Sequence, residues 1–184
     1  MTQTAASSNT RKELHVVGNF ETDLDPLLTG SISANIHDEV EPYSRYVSII
    51  EANDYWYVTA HWRLKGPARR MICGHWCVRL FLESLGEDNL DVELTYEPEI
   101  RLDPCGDGCY EACFKIEPYR IKVEYCGTPF KPILTVQYLT CCKTRCESEE
   151  EWEALPHCKR YLAGPIAGFV EFPVTQFIYE DVEV

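Results

Sequence analysis

Two histidines and two cysteines stand at positions from which they could bind a metal ion together. His61 lies in a segment of alternating apolar and polar residues, and Cys73, His75 and Cys77 take every second position around the start of the next such segment. If the two segments pair as a hairpin with their apolar faces matched, His61 lies opposite His75, at a Cβ separation of about 4.5–5.5 Å. Imidazole and thiolate are the usual ligands of zinc. The spacing therefore predicts a zinc site on this hairpin as one hypothesis.

The geometry of a strand limits which of these ligands can share one ion. Cys73 and Cys77 are separated by four positions, which is about 13 Å along a strand. Only one of the two cysteines can therefore join both histidines. The alternative, which we favour, is that the histidines are surface residues of the hairpin and that the cysteines are packed or paired elsewhere.

A second group of cysteines, Cys105, Cys109 and Cys113, has equal spacing. Zinc ribbons use two Cys-x-x-Cys pairs, and this spacing does not match them. The surrounding residues are rich in Gly, Pro and Asp, which favours a loop. We therefore predict a loop disulfide from Cys105 to Cys109 or Cys113.

The remaining cysteines surround a strongly acidic stretch. Cys146 and Cys158 flank this stretch, and a disulfide between them would close a loop of about a dozen residues, worth roughly 3 kcal/mol in the chain-entropy model. Cys141 and Cys142 are adjacent and would need other partners, with Cys126 the nearest candidate. The glutamates of the stretch are either a solvated surface or a docking patch for a basic protein partner.

Period-two hydrophobicity indicates the elements that carry these residues. Residues 56–65 and 76–83 alternate between apolar and polar side chains, which is typical of half-buried strands. Residues 66–70 supply a turn between them. Loops are predicted at 19–30 and 98–110, and a hairpin loop at 127–132. Further strands are predicted at 13–17, 31–36, 44–52, 90–96, 111–116, 120–126, 133–140 and 169–179.

Two local signals modify this pattern near the end of the chain. Ser148 and Glu151 have the spacing of a capping box, which predicts one short helical turn stopped by Pro156. Pro173 interrupts the last predicted strand and cannot donate a backbone hydrogen bond. That strand should therefore be an edge strand or contain a bulge.

About nine strands with turns roughly every 8–14 residues, and almost no helix, predict an all-β fold. We expect a single-domain antiparallel β-sandwich, immunoglobulin-like or jelly-roll-like in architecture, over residues 13–184. Residues 1–12 are polar and predict a flexible N-terminal arm.

The charge and the terminal sequence exclude several classes of protein. The 184 residues include 17 basic and 30 acidic side chains, for a formal charge of −13 at pH 7. This balance argues against nucleic acid and against an anionic membrane surface as partners. The N-terminus lacks the apolar core of a secretory signal, which predicts a cytoplasmic protein. Oxidation of the ten cysteines would instead indicate an extracellular one.

No sequence motif for catalysis is present. The chain has no Gly-x-Ser-x-Gly, no His-Glu-x-x-His and no phosphate-binding Gly-x-x-x-x-Gly-Lys. We therefore favour a non-catalytic binding or structural module without a cofactor, acting as a homo-oligomer or through a protein partner. The competing hypothesis is a zinc protein with a structural or hydrolytic site at His61 and His75.

Overall fold

A computed structural model describes residues 16–38, 48–86, 90–143 and 148–179. The arm predicted at residues 1–12 and Cys146 lie outside these ranges. The described residues form twelve strands, two short α-helices and one 3₁₀ helix. The strands are β1 (Val16–Val17), β2 (Asn19–Thr22), β3 (Thr29–Asp38), β4 (Ile49–Glu51), β5 (Trp56–Lys65), β6 (Gly74–Ser84), β7 (Val92–Thr95), β8 (Ile100–Arg101), β9 (Cys109–Ile116), β10 (Thr128–Lys143), β11 (Tyr161–Glu171) and β12 (Thr175–Ile178). The helices are α1 (Glu149–Ala154), α2 (His157–Arg160) and the 3₁₀ helix Pro67–Met71.

The strands form two sheets that pack as a sandwich, which confirms the predicted all-β class. The first sheet has four antiparallel strands in the order β1-β3-β5-β9. The second has eight strands and is built around β10, which pairs with β6 along one side and with β11 and β12 along the other. Strands β7 and β8 lie outside β6, β2 lies outside β11, and β4 pairs in parallel with β12.

The apolar positions of the alternating segments meet between the two sheets. On β5 the side chains of Trp56, Val58 and Trp62 are almost completely buried, and on β6 those of Trp76 and Val78 are too. Successive residues of a strand point to opposite faces, so the polar residues between them lie on the outside. The sequence therefore predicted correctly which face of each strand is buried, and burial of these large side chains is the main favourable term in folding.

The predicted hairpin pairing of these two segments is wrong. Strand β5 pairs with β3 and β9 in one sheet, whereas β6 pairs with β7, β8 and β10 in the other. The 3₁₀ helix Pro67–Met71 carries the chain from one sheet to the other. Two strands with apolar faces can lie side by side or face each other across a core, and the same alternation satisfies both arrangements.

Residues 120–126, predicted as a strand, form irregular structure instead. The backbone N–H of Val123 donates to the Tyr179 hydroxyl at 3.3 Å, and that hydroxyl donates to the Ile121 carbonyl at 3.1 Å. The Tyr179 side chain thus makes hydrogen bonds that a neighbouring strand would otherwise supply to this segment. The hairpin loop predicted at 127–132 is mostly the start of β10, and the loop predicted at 19–30 contains β2.

The end of the chain follows the capping signal but not the predicted edge. Ser148 caps α1, with its Oγ accepting the N–H of Glu151 at 3.4 Å, and a second short helix follows Pro156. Pro173 separates β11 from β12, and both strands lie inside the second sheet rather than at its edge. The edge strands of the first sheet are β1 and β9. Among the described helices, none is long and apolar enough to cross a membrane.

Candidate functional site

The two histidines of the predicted zinc site lie on different sheets. His61 points away from the core of the first sheet, and its side chain is 46% exposed. His75 precedes the inward-facing Trp76 on β6 and therefore lies on the outer face of the second sheet. The whole thickness of the sandwich separates the two rings, so the structure does not assemble this ligand set. Within the described ranges, no three His, Cys, Asp or Glu side chains converge on a point that could hold a metal.

Cys77, one of the predicted zinc ligands, forms a disulfide with Cys158. The two Cα atoms are 5.1 Å apart, and 81 positions separate the residues in the sequence. The predicted bond from Cys146 to Cys158 is therefore corrected: Cys158 bonds to β6, and Cys146 lies outside the described residues. Proximity along the chain could not reveal that the helical segment folds back over the second sheet.

The disulfide fastens α2 to the outer face of β6. Beside it, the buried His157 donates from Nε2 to the Trp76 carbonyl at 3.2 Å. A carbonyl only accepts hydrogen bonds, so this contact fixes the proton on Nε2. The two neighbouring residues, His157 and Cys158, therefore both hold α2 against the same strand.

His75 lies in a partly buried cluster next to this disulfide. Its Nδ1 atom is 2.5 Å from Glu99 Oε1, and its ring stacks on Tyr161 with centroids 4.5 Å apart. Burial lowers the pKa of His75, Glu99 opposes that shift, and His157 and Arg101 add to it. Glu99 and Tyr161 could not be predicted from the sequence as neighbours of His75, because both are distant along the chain.

The outer face of the first sheet carries an open depression of about 540 Å³. His61 and Glu111 lie opposite each other on adjacent strands in its floor, with His61 Nδ1 3.6 Å from Glu111 Oε2. The other polar side chains that line the depression are Ser31, Ser33, Arg63, Cys109 and Tyr110. On the second sheet, α2 lies over β6.

A group of cations, which we name the basic corner, adjoins this depression. It consists of Arg63, Lys65, Arg69 and Arg70, which line a neighbouring cavity of about 510 Å³. Arg69 and Arg70 lie on the 3₁₀ helix, and the Arg69 guanidinium donates to the Gly106 carbonyl. Four of the 17 basic residues of a chain with a charge of −13 thus fall within eight positions. In the sequence these four residues span the end of one predicted strand and the turn that follows it.

One carboxylate faces the basic corner. Asp107 Oδ1 accepts the backbone N–H of Cys109 at 2.9 Å, and this hydrogen bond lowers the pKa of Asp107, with Arg63 contributing in the same direction. Asp107 is therefore ionised at neutral pH. Among the side chains that line this cavity, four are cationic and Asp107 is anionic, so the lining is cationic on balance.

The short helix α1 carries an acidic surface. Its side chains Glu149, Glu150, Glu151 and Glu153 are exposed, and we name them the acidic helix. Trp152 orients the helix: its indole N–H donates to the Arg160 carbonyl at 2.9 Å. The ring also packs against Lys143, with the ammonium 4.2 Å from the centroid. Because Trp152 faces the protein, the glutamates face solvent.

Seven of the described cysteines carry free thiols. These include Cys105, Cys109 and Cys113, which were candidates for a loop disulfide; Cys113 Sγ instead accepts the Thr59 hydroxyl at 3.6 Å. Cys141 was expected to approach Cys126, but its thiol contacts Cys73 at 3.1 Å. The fourth predicted zinc ligand, Cys73, is thus placed beside another thiol rather than beside histidine.

Comparison of the chain with protein-family models and with curated proteins finds no match.

Proposed function

We propose that this chain is a non-catalytic module that self-associates, with the acidic helix of one copy bound to the basic corner of another. The observation that carries the proposal is the separation of opposite charges onto two exposed surfaces. Four cations and one carboxylate, Asp107, line the cavity of the basic corner. The acidic helix presents four glutamates to solvent.

Ion pairs in direct contact persist at salt concentrations that screen the repulsion between more distant charges. At physiological ionic strength the Debye length is about 8 Å, so most of the repulsion between two copies with a charge of −13 is attenuated. Exposed ion pairs contribute only about 0.2–1 kcal/mol each. Several of them, together with the adjoining depression, support a weak and reversible association.

The two surfaces differ, so each contact is head-to-tail. An interface of this kind either closes into a ring or continues as an open chain of copies. Because each copy carries one surface of each kind, the acidic helix used by one contact leaves the basic corner of the same copy available for the next.

Charge reversal tests this interface more sharply than added salt, since salt weakens the contact and the overall repulsion together. Arg70→Glu and Glu150→Lys should each weaken self-association about tenfold in sedimentation velocity over a concentration series. An equimolar mixture of the two variants should recover a dimer, because the unaltered acidic helix of Arg70→Glu can still bind the unaltered basic corner of Glu150→Lys. The double variant should recover association with itself.

The matched controls carry the same charge changes elsewhere. Lys122→Glu and Glu124→Lys alter exposed residues of the 117–127 segment and should leave the sedimentation profile unchanged. The proposal is overturned if the unaltered protein sediments as a monomer at every concentration. It is also overturned if Arg70→Glu and Lys122→Glu weaken association equally.

We also infer that the protein matures in an oxidising compartment. The Cys77–Cys158 disulfide supports this, because disulfides persist in such environments and are rare in reducing ones. Protein taken from its natural source, quenched in acid and alkylated at once, should yield the Cys77–Cys158 peptide pair. Recovery of both residues as alkylated thiols would refute this inference.

A further inference from the structure

Two free thiols meet at one end of the second sheet. Cys73 immediately precedes β6, and Cys141 lies near the end of β10. The neighbouring residues Gly74 and Thr140 are paired in the antiparallel ladder, so Cys73 and Cys141 follow as the next opposed pair. The Cys141 thiol donates to Cys73 Sγ, with the two sulfur atoms 3.1 Å apart.

We propose that Cys73 and Cys141 are an oxidisable dithiol that closes into a second disulfide. Opposed residues of antiparallel strands have Cα atoms about 4.5–5.5 Å apart, which lies within the range that a disulfide spans. The sulfur atoms need to approach by only about 1 Å to reach bonding distance. Both cysteines are exposed, so a small oxidant reaches them.

The oxidant is a low-molecular-weight disulfide, RSSR. The Cys73 thiolate attacks one sulfur of RSSR, which forms a mixed disulfide and releases RS⁻. The Cys141 thiol then loses its proton and attacks the Cys73 sulfur, which releases the second RS⁻. In total, two protein thiols are oxidised to one disulfide and RSSR is reduced to two RSH.

The surrounding structure holds the pair in place. The Tyr138 hydroxyl donates to the Cys73 carbonyl at 2.8 Å. Gly74 has φ +151°, and a Cβ at this position would lie 2.1 Å from the Leu139 carbonyl oxygen. Only glycine therefore permits the close approach of β6 to β10 beside the two thiols. The hydrogen bond to Cys73 raises the pKa of Cys141, with slight desolvation of the exposed thiol adding to the effect, in keeping with Cys141 as the second thiol to react.

The second disulfide would tie both ends of one segment to the same strand. Residues 141–158 include the acidic helix, and Cys158 is already bonded to Cys77 on β6. Closing Cys73–Cys141 fixes the other end of this segment at the start of β6. The chemical proposal stands on the two thiols alone and does not depend on self-association.

The test uses the full chain with Cys77–Cys158 intact, equilibrated with mixtures of reduced and oxidised glutathione, quenched in acid and alkylated. As the mixture becomes more oxidising, two alkylation sites should disappear together without a glutathione adduct. Peptide mapping without reduction should identify a Cys73–Cys141 pair. Cys142→Ser is the matched control, since Cys142 is the exposed free thiol next to Cys141 in the sequence, and it should behave as the unaltered protein.

Cys73→Ser and Cys141→Ser should each abolish the paired loss and leave the remaining thiol as a glutathione adduct. Adducts alone in the unaltered protein, or an unchanged paired loss in Cys73→Ser, would overturn the proposal. A second measurement on the unaltered protein removes dependence on the folding of variants. One equivalent of phenylarsine oxide, which binds two adjacent thiols, should protect Cys73 and Cys141 from alkylation in the reduced native protein, and protection of any other pair counts against the proposal.

Discussion

Trp62 and Trp76 meet edge to face across the middle of the sandwich, with ring centroids 5.7 Å apart. One ring comes from β5 and the other from β6, so this contact joins the two sheets. Tyr110 packs against both indoles, at 5.9 Å and 5.6 Å. Edge-to-face aromatic pairs contribute about 0.5–1.5 kcal/mol beyond the area they bury.

Two replacements of Trp62 should distinguish the contribution of ring packing to stability from that of the buried indole N–H. Trp62→Ala should lower the free energy of unfolding by about 3–5 kcal/mol, because it leaves a cavity between the sheets. Trp62→Phe should lower the free energy of unfolding by only about 1–2 kcal/mol. Part of the packing loss is offset, because the substitution removes a buried N–H that has no acceptor among the described residues. Urea unfolding at constant redox potential measures both values. Tyr125→Ala, at a residue that is 94% exposed, should change the free energy by less than about 0.5 kcal/mol.

The Cys77–Cys158 bond should account for a large part of the stability of the chain. With 81 positions between the cysteines, the chain-entropy model gives a stabilisation of about 4.5 kcal/mol. Cys77→Ser, Cys158→Ser and the double variant should therefore be destabilised equally, since each removes the same bond. Calorimetry with and without reducing agent measures this. Reducing agent that lowers the melting temperature of Cys77→Ser as much as that of the unaltered protein would contradict the assignment.

His75 should make the stability depend on pH below neutrality. Burial lowers its pKa from the usual 6.5, so the unfolded chain binds more protons than the folded protein as the pH falls below that value. The contribution is fully present above pH 6.5 and is lost as the pH falls through the window down to the folded pKa. Denaturant unfolding from pH 7.5 to pH 5 should therefore show a smaller loss of stability in His75→Phe than in the unaltered protein.

Two further variants identify the cause of this pH dependence. Glu99→Gln removes the carboxylate that opposes the shift, so the NMR titration of His75 should move to a lower pH. Val174→Ala alters an exposed side chain that carries no titratable group and should leave the slope of stability against pH unchanged. A titration of His75 at or above the usual value in the unaltered protein would show that burial does not govern this residue.

The sequence predicted which residues are buried better than it predicted which strands are neighbours. Alternation identifies the inner face of β5 and β6, because side-chain direction is set by the strand itself. It does not distinguish pairing within a sheet from packing between sheets, and the expected opposition of His61 and His75 failed for that reason. The pairing of Cys158 was missed on similar grounds, since the partner depends on where α2 comes to lie. Ser148 was predicted correctly because a helix cap involves only residues close together in the sequence.

The placement of β12 has a consequence for the order in which the protein can assemble. Strand β4, at Ile49–Glu51, pairs with β12, at Thr175–Ile178. The second sheet can therefore be completed only when nearly the last described residues are available. The strands of the first sheet all lie before residue 117, and they are available while the remainder is still being synthesised. Loop closure over such distances is slow, and the unpaired strands are open to aggregation in the meantime. A chain that stops at Pro173 would keep every strand of the first sheet, yet it would leave the pocket for Phe177, between Trp56 and Phe130, unfilled.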